Sequence, residues 1–389
     1  MENISKYVSN MKENGLYREF KYLNSGQGPK ALVEGREIIL LGSNNYLGLC
    51  DDVRLKEVAI RAVKEYGVGS GGSRLTTGSY DLHKKLEEKI ANFKGTEDAL
   101  VFNTGYMANV GILSALCDKK WVIFCDKYNH ASIIDGCLLS GAKLVRYRHC
   151  DMDDLERKIN MYKGKVNLIV TDGVFSMDGD VAPLDHIVKL AKKYDMFTMV
   201  DDAHGVGVLG EKGSGTCSYF GVNKDIDMQI GTLSKAIASI GGYVAGKKEM
   251  IDYMKNVSRS FIFSTALPPA SIAVSLKAIE IIEKDKDRRQ KLIELSNWFK
   301  GELKAMGFHI TDTITPIIPA IIGDAKKATL FSESLLEEGI YVPAIRPPTV
   351  QKGTARLRIS LMATHRSKDL EYVLKVMQFH GKRLKIIEG

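Results

Sequence analysis

From about residue 80 the chain alternates short apolar runs with helical patterns, and this alternation restricts the fold more than any other feature. The runs are DALVFN (98–103), WVIFCD (121–126), KLVRYR (143–148), NLIVTDGVF (167–175), FTMVDDAH (197–204) and MQIGTLS (228–234). They suit strands covered on both faces, which predicts α/β architecture around a mostly parallel sheet. Between them the pattern turns helical: YDLHKKLEEKIANFKG places Leu82, Leu86 and Ile90 one turn apart, and Gly95 ends the helix. Functional groups in open α/β sheets collect in loops just past the carboxyl ends of strands. Gly105, Asp126, Ser176, Asp201, His204 and Lys235 all fall at or just after such an end, so the sequence predicts that they converge.

Past residue 265 the pattern is helix-dominated, and EKDKDRR at 283–289 reads as a helix running into a boundary. Beyond it the sequence predicts a helix near 289–306, short strands near 308–322, a helix near 325–338, strands in YVPAI and ARLRISL, and a last helix near 367–379. The expected division is an N-terminal helical arm (1–45), a large α/β domain (46–285) and a smaller α+β C-terminal domain (286–389). The first twenty residues are polar and mixed in charge, as in the arm of a cytoplasmic protein, and no apolar run approaches the roughly 20 residues a membrane helix needs. Six cysteines without a CxxC pair read as reduced thiols, with no disulfide framework and no metal site. The net charge of +8 is spread along the chain with no dense basic run. That distribution argues against nucleic acid and permits anionic partners such as coenzyme A or an acidic carrier protein.

The chemistry is concentrated in GTLSKA (231–236), which sets Lys235 among small and hydroxyl residues just after an apolar strand. Lysine condenses with an aldehyde only as the neutral amine, so such a lysine needs a pKa depressed by burial or by a nearby cation. Pyridoxal phosphate (PLP) is the aldehyde cofactor that uses one. It also asks for a carboxylate at its ring nitrogen, N–H and hydroxyl donors at its phosphate, and a flat neighbour. Asp201 and Asp202 emerge from a strand and are candidates for the carboxylate, although an aspartate capping a turn is common. His130 is placed to stack on a ring or to cap a helix. Thr104-Gly105-Tyr106 opens a helix whose N–H groups suit a phosphate, and Ser176 offers a hydroxyl in a turn. Two GxGxxG spacings, at Gly67-Gly69-Gly72 and at Gly205-Gly207-Gly210, lack the strand–turn–helix setting of a dinucleotide site, which sets a dehydrogenase aside.

With SNNYLGL (43–49), NHASIIDG (129–136), TDGVFSMDGD (171–180), VDDAHGVG (200–207), GTLSKA and FSTALPP (263–269), the chain resembles the α-oxoamine synthases over nearly its whole length. These are PLP enzymes that join an amino acid to an acyl thioester with loss of carbon dioxide. The resemblance implies the aspartate-aminotransferase-type fold (fold type I), with a mostly parallel central sheet and a smaller α+β C-terminal domain. It implies that Lys235 bonds PLP, that Asp201 holds the pyridinium nitrogen and that His130 stacks on the ring. Ser176 and His204 would contact its phenolic oxygen side. Gly105, Tyr106 and Thr232 would hold the phosphate, with Ser264 and Thr265 reaching in from the second subunit of a homodimer. Asn44 and Arg358 are implied for the amino acid carboxylate, Arg346 and Thr349 for the acyl side, and Arg18 for a further substrate contact. GSGGSRLTTGSYDLH (69–83) and AIRPPTVQKGTARLRIS (344–360) are most similar to the branch that uses L-alanine and a pimeloyl thioester, on coenzyme A or a carrier protein. The branch that joins glycine to acetyl-CoA is the alternative.

Overall fold

The computed structural model describes residues 2–13, 17, 20–162 and 165–388. Its centre is a seven-stranded sheet in the order Asp98–Phe102, Gly242–Gly246, Met228–Thr232, Phe197–Asp201, Val166–Asp172, Trp121–Asp126, Lys143–Tyr147. Six of these are the apolar runs of the sequence. The seventh, Gly242–Gly246, is antiparallel to both its neighbours, and the pairs from Met228–Thr232 outward to Lys143–Tyr147 are all parallel. Period-two alternation explains why these runs are continuously apolar. Along Trp121–Asp126, Ile123 and Cys125 enter one core with Ile112, Leu113 and Ile133, while Val122 and Phe124 enter another with Leu155, Ile187 and Val188. Each such Leu, Ile or Phe contributes roughly 1.5–3 kcal/mol by leaving water.

Beyond this sheet, Ile317–Gly323 pairs with His309–Ile310 and Ala355–Ser360, which in turn pairs with Ala344–Ile345, all antiparallel. Helices Lys286–Ala305, Ala325–Glu337 and Ser367–Arg383 accompany this smaller sheet. Helix Pro269–Lys284 is separated from helix Lys286–Ala305 by Asp285, whose carboxylate caps the second by accepting from the Arg288 N–H at 3.1 Å. The N-terminal segment departs from the expected helical arm. Among the described residues of this segment the helix is Glu2–Glu13, and Lys30–Val33 and Arg36–Leu40 form an antiparallel hairpin that adds Ile340–Tyr341 as a parallel strand. Residues 30–40 therefore pair with the C-terminal part, for which IILLG was already strand-like in sequence. Among the described residues no helix is long and apolar enough to cross a membrane.

A buried ion pair lies under the centre of the sheet. Lys94, at the end of helix Asp81–Lys94, donates to Asp202 at 2.8 Å, and both side chains are 0% exposed. Asp202 also accepts from the Thr216 N–H at 2.9 Å and from the Thr216 hydroxyl. The second aspartate of the Asp-Asp pair is thus structural, which frees the first to face the site.

Candidate active site

Three adjacent parallel strands deliver their last residues, Asp172, Asp201 and Thr232, to one place, whereas Asp126, expected among them, turns to His149 and lines no part of it. Asp172 and Asp201 are register partners on adjacent strands, and Asp201 is paired in turn with Ile230, two residues before Thr232. Above them is a cavity of about 210 Å³. Gly105, Tyr106, His130 and Ser176 line it, as do Asp201, His204, Thr232 and Lys235, so eight of the residues singled out in the sequence share one wall.

At one end helix Gly105–Leu116 points its N-terminus into the cavity, capped by the Thr104 hydroxyl, which accepts from the Met107 N–H at 3.0 Å. The helix sits close over the antiparallel strand. A Cβ on Gly242 would lie 2.6 Å from the Gly105 nitrogen, so only glycine lets the strand pass there. Thr232 and Ser234 hydroxyls, 2.7 Å apart, flank the same end. Free N–H groups, a helix dipole and hydroxyls make an anion cradle.

At the other end the Asp201 carboxylate accepts from Asn109 Nδ2 at 2.6 Å and from the Ala203 N–H at 3.1 Å. Asn109 lies one helical turn past Gly105 on the same face, so its part was readable from i, i+4 spacing although the motifs did not point to it. Asp172, also overlooked, lines the cavity and accepts from the His130 N–H at 3.0 Å. Burial, reinforced by the Asp201 charge, raises its carboxyl well above the usual range. Burial likewise lowers the Lys235 amine to about 8, against the pull of Asp201 and Asp172. His204 is held well below its ordinary value by burial and by Lys235 and Arg358. His130 caps helix Ala131–Ser140 with Nδ1, 2.7 Å from the Ser132 hydroxyl, and the rest of its ring faces the cavity. An anion cradle, a buried carboxylate at the far end, a lysine with a depressed pKa and a flat imidazole between them fit pyridoxal phosphate.

Arg358, 5% exposed, comes from the smaller sheet. It donates to Asn44 Oδ1 at 3.1 Å, to the Tyr46 oxygen at 3.3 Å, to the Ser360 hydroxyl at 2.8 Å and to the Ser176 carbonyl. Asn44 and Arg358, both singled out for the amino acid carboxylate, are hydrogen-bonded to each other; neither lines the cavity, which Arg358 reaches through the Ser176 carbonyl. Thr349 lines a second cavity of about 670 Å³ that shares His130 and Ser176 with the first. Apolar Ile134, Phe175 and Val350 and the cations Lys127, Arg146 and Arg356 also border it. Arg346 is not on its lining, but its carbonyl accepts from the Thr349 N–H at 3.0 Å. Ser264 and Thr265 line neither cavity. Ser264 borders a small pocket with Arg74 and His83, and Thr265 bridges to Ser73. Arg18 lies outside the described residues.

The loop of residues 173–182, which carries Ser176, is gripped from both sides. His149 is 2.9 Å from Asp126 and 2.6 Å from Asp180, and although burial opposes it, these partners push the imidazole up to about 12. From the smaller domain Arg356 pairs with Asp178, and Thr315 donates to the Gly179 carbonyl at 2.8 Å. Gly179 has φ 72°, and a Cβ there would meet the Ile317 carbonyl at 2.6 Å. Asp126, His149 and Cys150 bring ligand-type atoms within 4.8 Å of one another, but both ring nitrogens of His149 are committed to carboxylates.

Comparison with known proteins agrees with this geometry. The profile of the family "Aminotransferase class I and II" matches residues 36–377. The chain is 50% identical over 388 residues to the 8-amino-7-oxononanoate synthase of Geobacter sulfurreducens, covering 99% of both. Among solved structures it is similar to a serine palmitoyltransferase with PLP in place, at TM-score 0.94 and 33% identity, covering 99% of this chain and 98% of that one. It is also similar to the 8-amino-7-oxononanoate synthase of Francisella tularensis, at TM-score 0.78 and 31% identity, with 89% and 98% covered.

Proposed function

Since the chain belongs to the class I and II aminotransferase family, we propose that it is a PLP-dependent acyltransferase of biotin biosynthesis. It condenses L-alanine with a pimeloyl thioester, releasing carbon dioxide and free thiol, to give 8-amino-7-oxononanoate. The observation that carries this is full-length identity of 50% to an 8-amino-7-oxononanoate synthase, supported by eight of the expected cofactor residues around one cavity. Glycine and acetyl-CoA, the alternative pair, are not favoured by the names of the relatives.

Lys235 would bond the cofactor aldehyde, Asp201 would face its ring nitrogen, His130 its ring, Ser176 and His204 its phenolic oxygen, and Gly105, Tyr106 and Thr232 its phosphate. When bound, PLP supplies an electron sink for the pair left behind as a bond to the alanine Cα is broken. The residues do the rest. With an amine lowered to about 8, Lys235 is neutral in roughly a tenth of molecules at pH 7 and in half near pH 8, and the neutral form can take the Cα proton. Asp201 is held in place by Asn109 as the carboxylate partner of the ring nitrogen. Arg358 and Asn44 bind the alanine carboxylate, which orients the Cα bond and holds the carboxylate that later leaves. The larger cavity, lined by Ile134, Phe175 and Val350 together with Lys127 and Arg146, suits a pantetheine thioester, with Thr349 and Arg346 on the acyl side. Ser264 and Thr265 serve the partner's site in a homodimer. Phe263 and Val68, 71% and 81% exposed, supply apolar surface for that contact.

The deciding experiment supplies purified, PLP-loaded protein with L-alanine and pimeloyl-CoA, or with pimeloyl-carrier protein, and in parallel with glycine and acetyl-CoA, and follows thiol release. Release with a pimeloyl donor alone supports the reading, and release with glycine and acetyl-CoA alone replaces it. Arg358→Ala is expected to raise KM for alanine roughly 10–100-fold, the worth of charge-assisted hydrogen bonds of about 1.5–3 kcal/mol. Unchanged saturation by alanine would remove Arg358 from this role.

A further inference from the structure

Tyr46 has no part in the roles set out so far, yet it sits where two of them meet. Its ring is 0% exposed and packed in the apolar core with Leu41, Leu47 and Leu49. Its oxygen lies 2.6 Å from His204 Nδ1, 3.2 Å from Asn44 Oδ1 and 3.3 Å from Arg358. The proton count follows from these contacts. Arg358 only donates, so the tyrosine oxygen accepts from it. Asn44 Oδ1 receives another Arg358 hydrogen bond at 3.1 Å and keeps a lone pair 3.2 Å from the tyrosine oxygen, so it competes with His204 Nδ1 for the single tyrosine proton. His204 Nδ1, at 2.6 Å, is the nearer acceptor and takes it.

The geometry points to Tyr46 as a positioning residue that fixes His204 as the Nε2–H tautomer, a donor toward the cavity, and ties it to the carboxylate-binding Arg358. The functional half of this inference rests on the alanine–pimeloyl reading, and the tautomer half does not. Neighbouring charges agree with it. His204 is kept neutral by burial and by Lys235 and Arg358, so one ring nitrogen must accept. Burial also raises the Tyr46 hydroxyl, which keeps its proton despite Arg358. A carboxylate arriving at Arg358 would draw on the guanidinium N–H groups now spent on Asn44 and Tyr46. Substrate binding at one end of the network is thereby communicated to the imidazole at the other.

The test is Tyr46→Phe, which removes one oxygen and keeps the packed ring. In PLP-loaded protein labelled with 15N-histidine, long-range proton–nitrogen correlations report which ring nitrogen of His204 carries hydrogen, with its signals identified by their loss in His204→Gln. The parent is expected to show a bare Nδ1 and a protonated Nε2. In Tyr46→Phe that pattern is expected to become mixed, with kcat/KM for alanine down about tenfold, the worth of one hydrogen bond, and PLP affinity unchanged. A protonated Nδ1 in the parent overturns the proposal even if the variant does not fold. So does a variant whose histidine pattern and kcat/KM match the parent. The histidine spectra need no substrate, so they decide the tautomer whether or not alanine and pimeloyl-CoA are turned over.

Discussion

Lys235→Ala is expected to leave no measurable thiol release and to convert PLP from a covalently held group into one that gel filtration removes. Among the described residues lining the smaller cavity Lys235 is the single lysine, so no neighbouring amine can replace it. The lost base alone accounts for roughly 10²–10⁴-fold in rate, and loss of the covalent attachment adds to it. The same side chain gives a pH signature. A lysine at its ordinary value of 10.5 would stay protonated through the neutral range, whereas this one, pushed down by burial, loses its proton near pH 8. Covalent capture of PLP by the apoprotein needs the neutral amine. Its rate is therefore expected to climb through about pH 8 and level off above, as followed by absorbance. A rate still climbing steeply toward pH 10 would mean that the amine is not depressed, and normal turnover by Lys235→Ala would defeat the assignment.

Asp201→Asn tests the opposite end of the cavity. The substitution keeps size but only one oxygen: Asn109 Nδ2 and the Ala203 N–H use different carboxylate oxygens, so one of them loses its acceptor, and the charge is gone. Removing one partner of a buried charge pair costs about 3–5 kcal/mol, which as lost transition-state stabilisation is roughly 10²–10³-fold in kcat. Protein stability should change much less, because the buried aspartate that braces the turn is Asp202, held by Lys94 and Thr216. A thermal melt alongside the kinetics separates the two. A kcat within threefold of the parent would take Asp201 out of contact with the ring nitrogen.

The parts of this architecture that were legible in the sequence are those whose signal is local and continuous. Five of the six legible sheet strands announce themselves as mostly apolar runs because both their faces are covered, while KLVRYR, at the sheet edge, leaves Lys143 and Arg146 exposed. The seventh, GYVAG, is no shorter than most, but it begins and ends in glycine, Gly242 crowded by the helix N-terminus and Gly246 by the Asp227 carbonyl. The hairpin at 30–40 was hidden for a different reason. Its partner, Ile340–Tyr341, is some 300 residues away, and nothing local indicates that pairing. In the site, residues just past strand ends could be named in advance, since topology gathers them. Asp172 and Tyr46 could not, because each acts through another side chain and has no motif of its own beyond its neighbourhood, and Asn109 was readable only from its i, i+4 spacing to Gly105. Asp126 was placed among the converging residues, yet it turns to His149 and the Cys150 N–H and lines neither cavity.

The doubly gripped loop of residues 173–182 has a mechanical consequence. Ser176 is attached to the large domain through His149 and Asp180, and to the small one through Arg356, Arg358, Thr313 and Thr315. Any rotation of the smaller sheet must carry this loop with it or break several hydrogen bonds together. The wall bearing Ser176 and the arginine proposed for the amino acid carboxylate are thus braced in one frame, fastened to both parts of the chain.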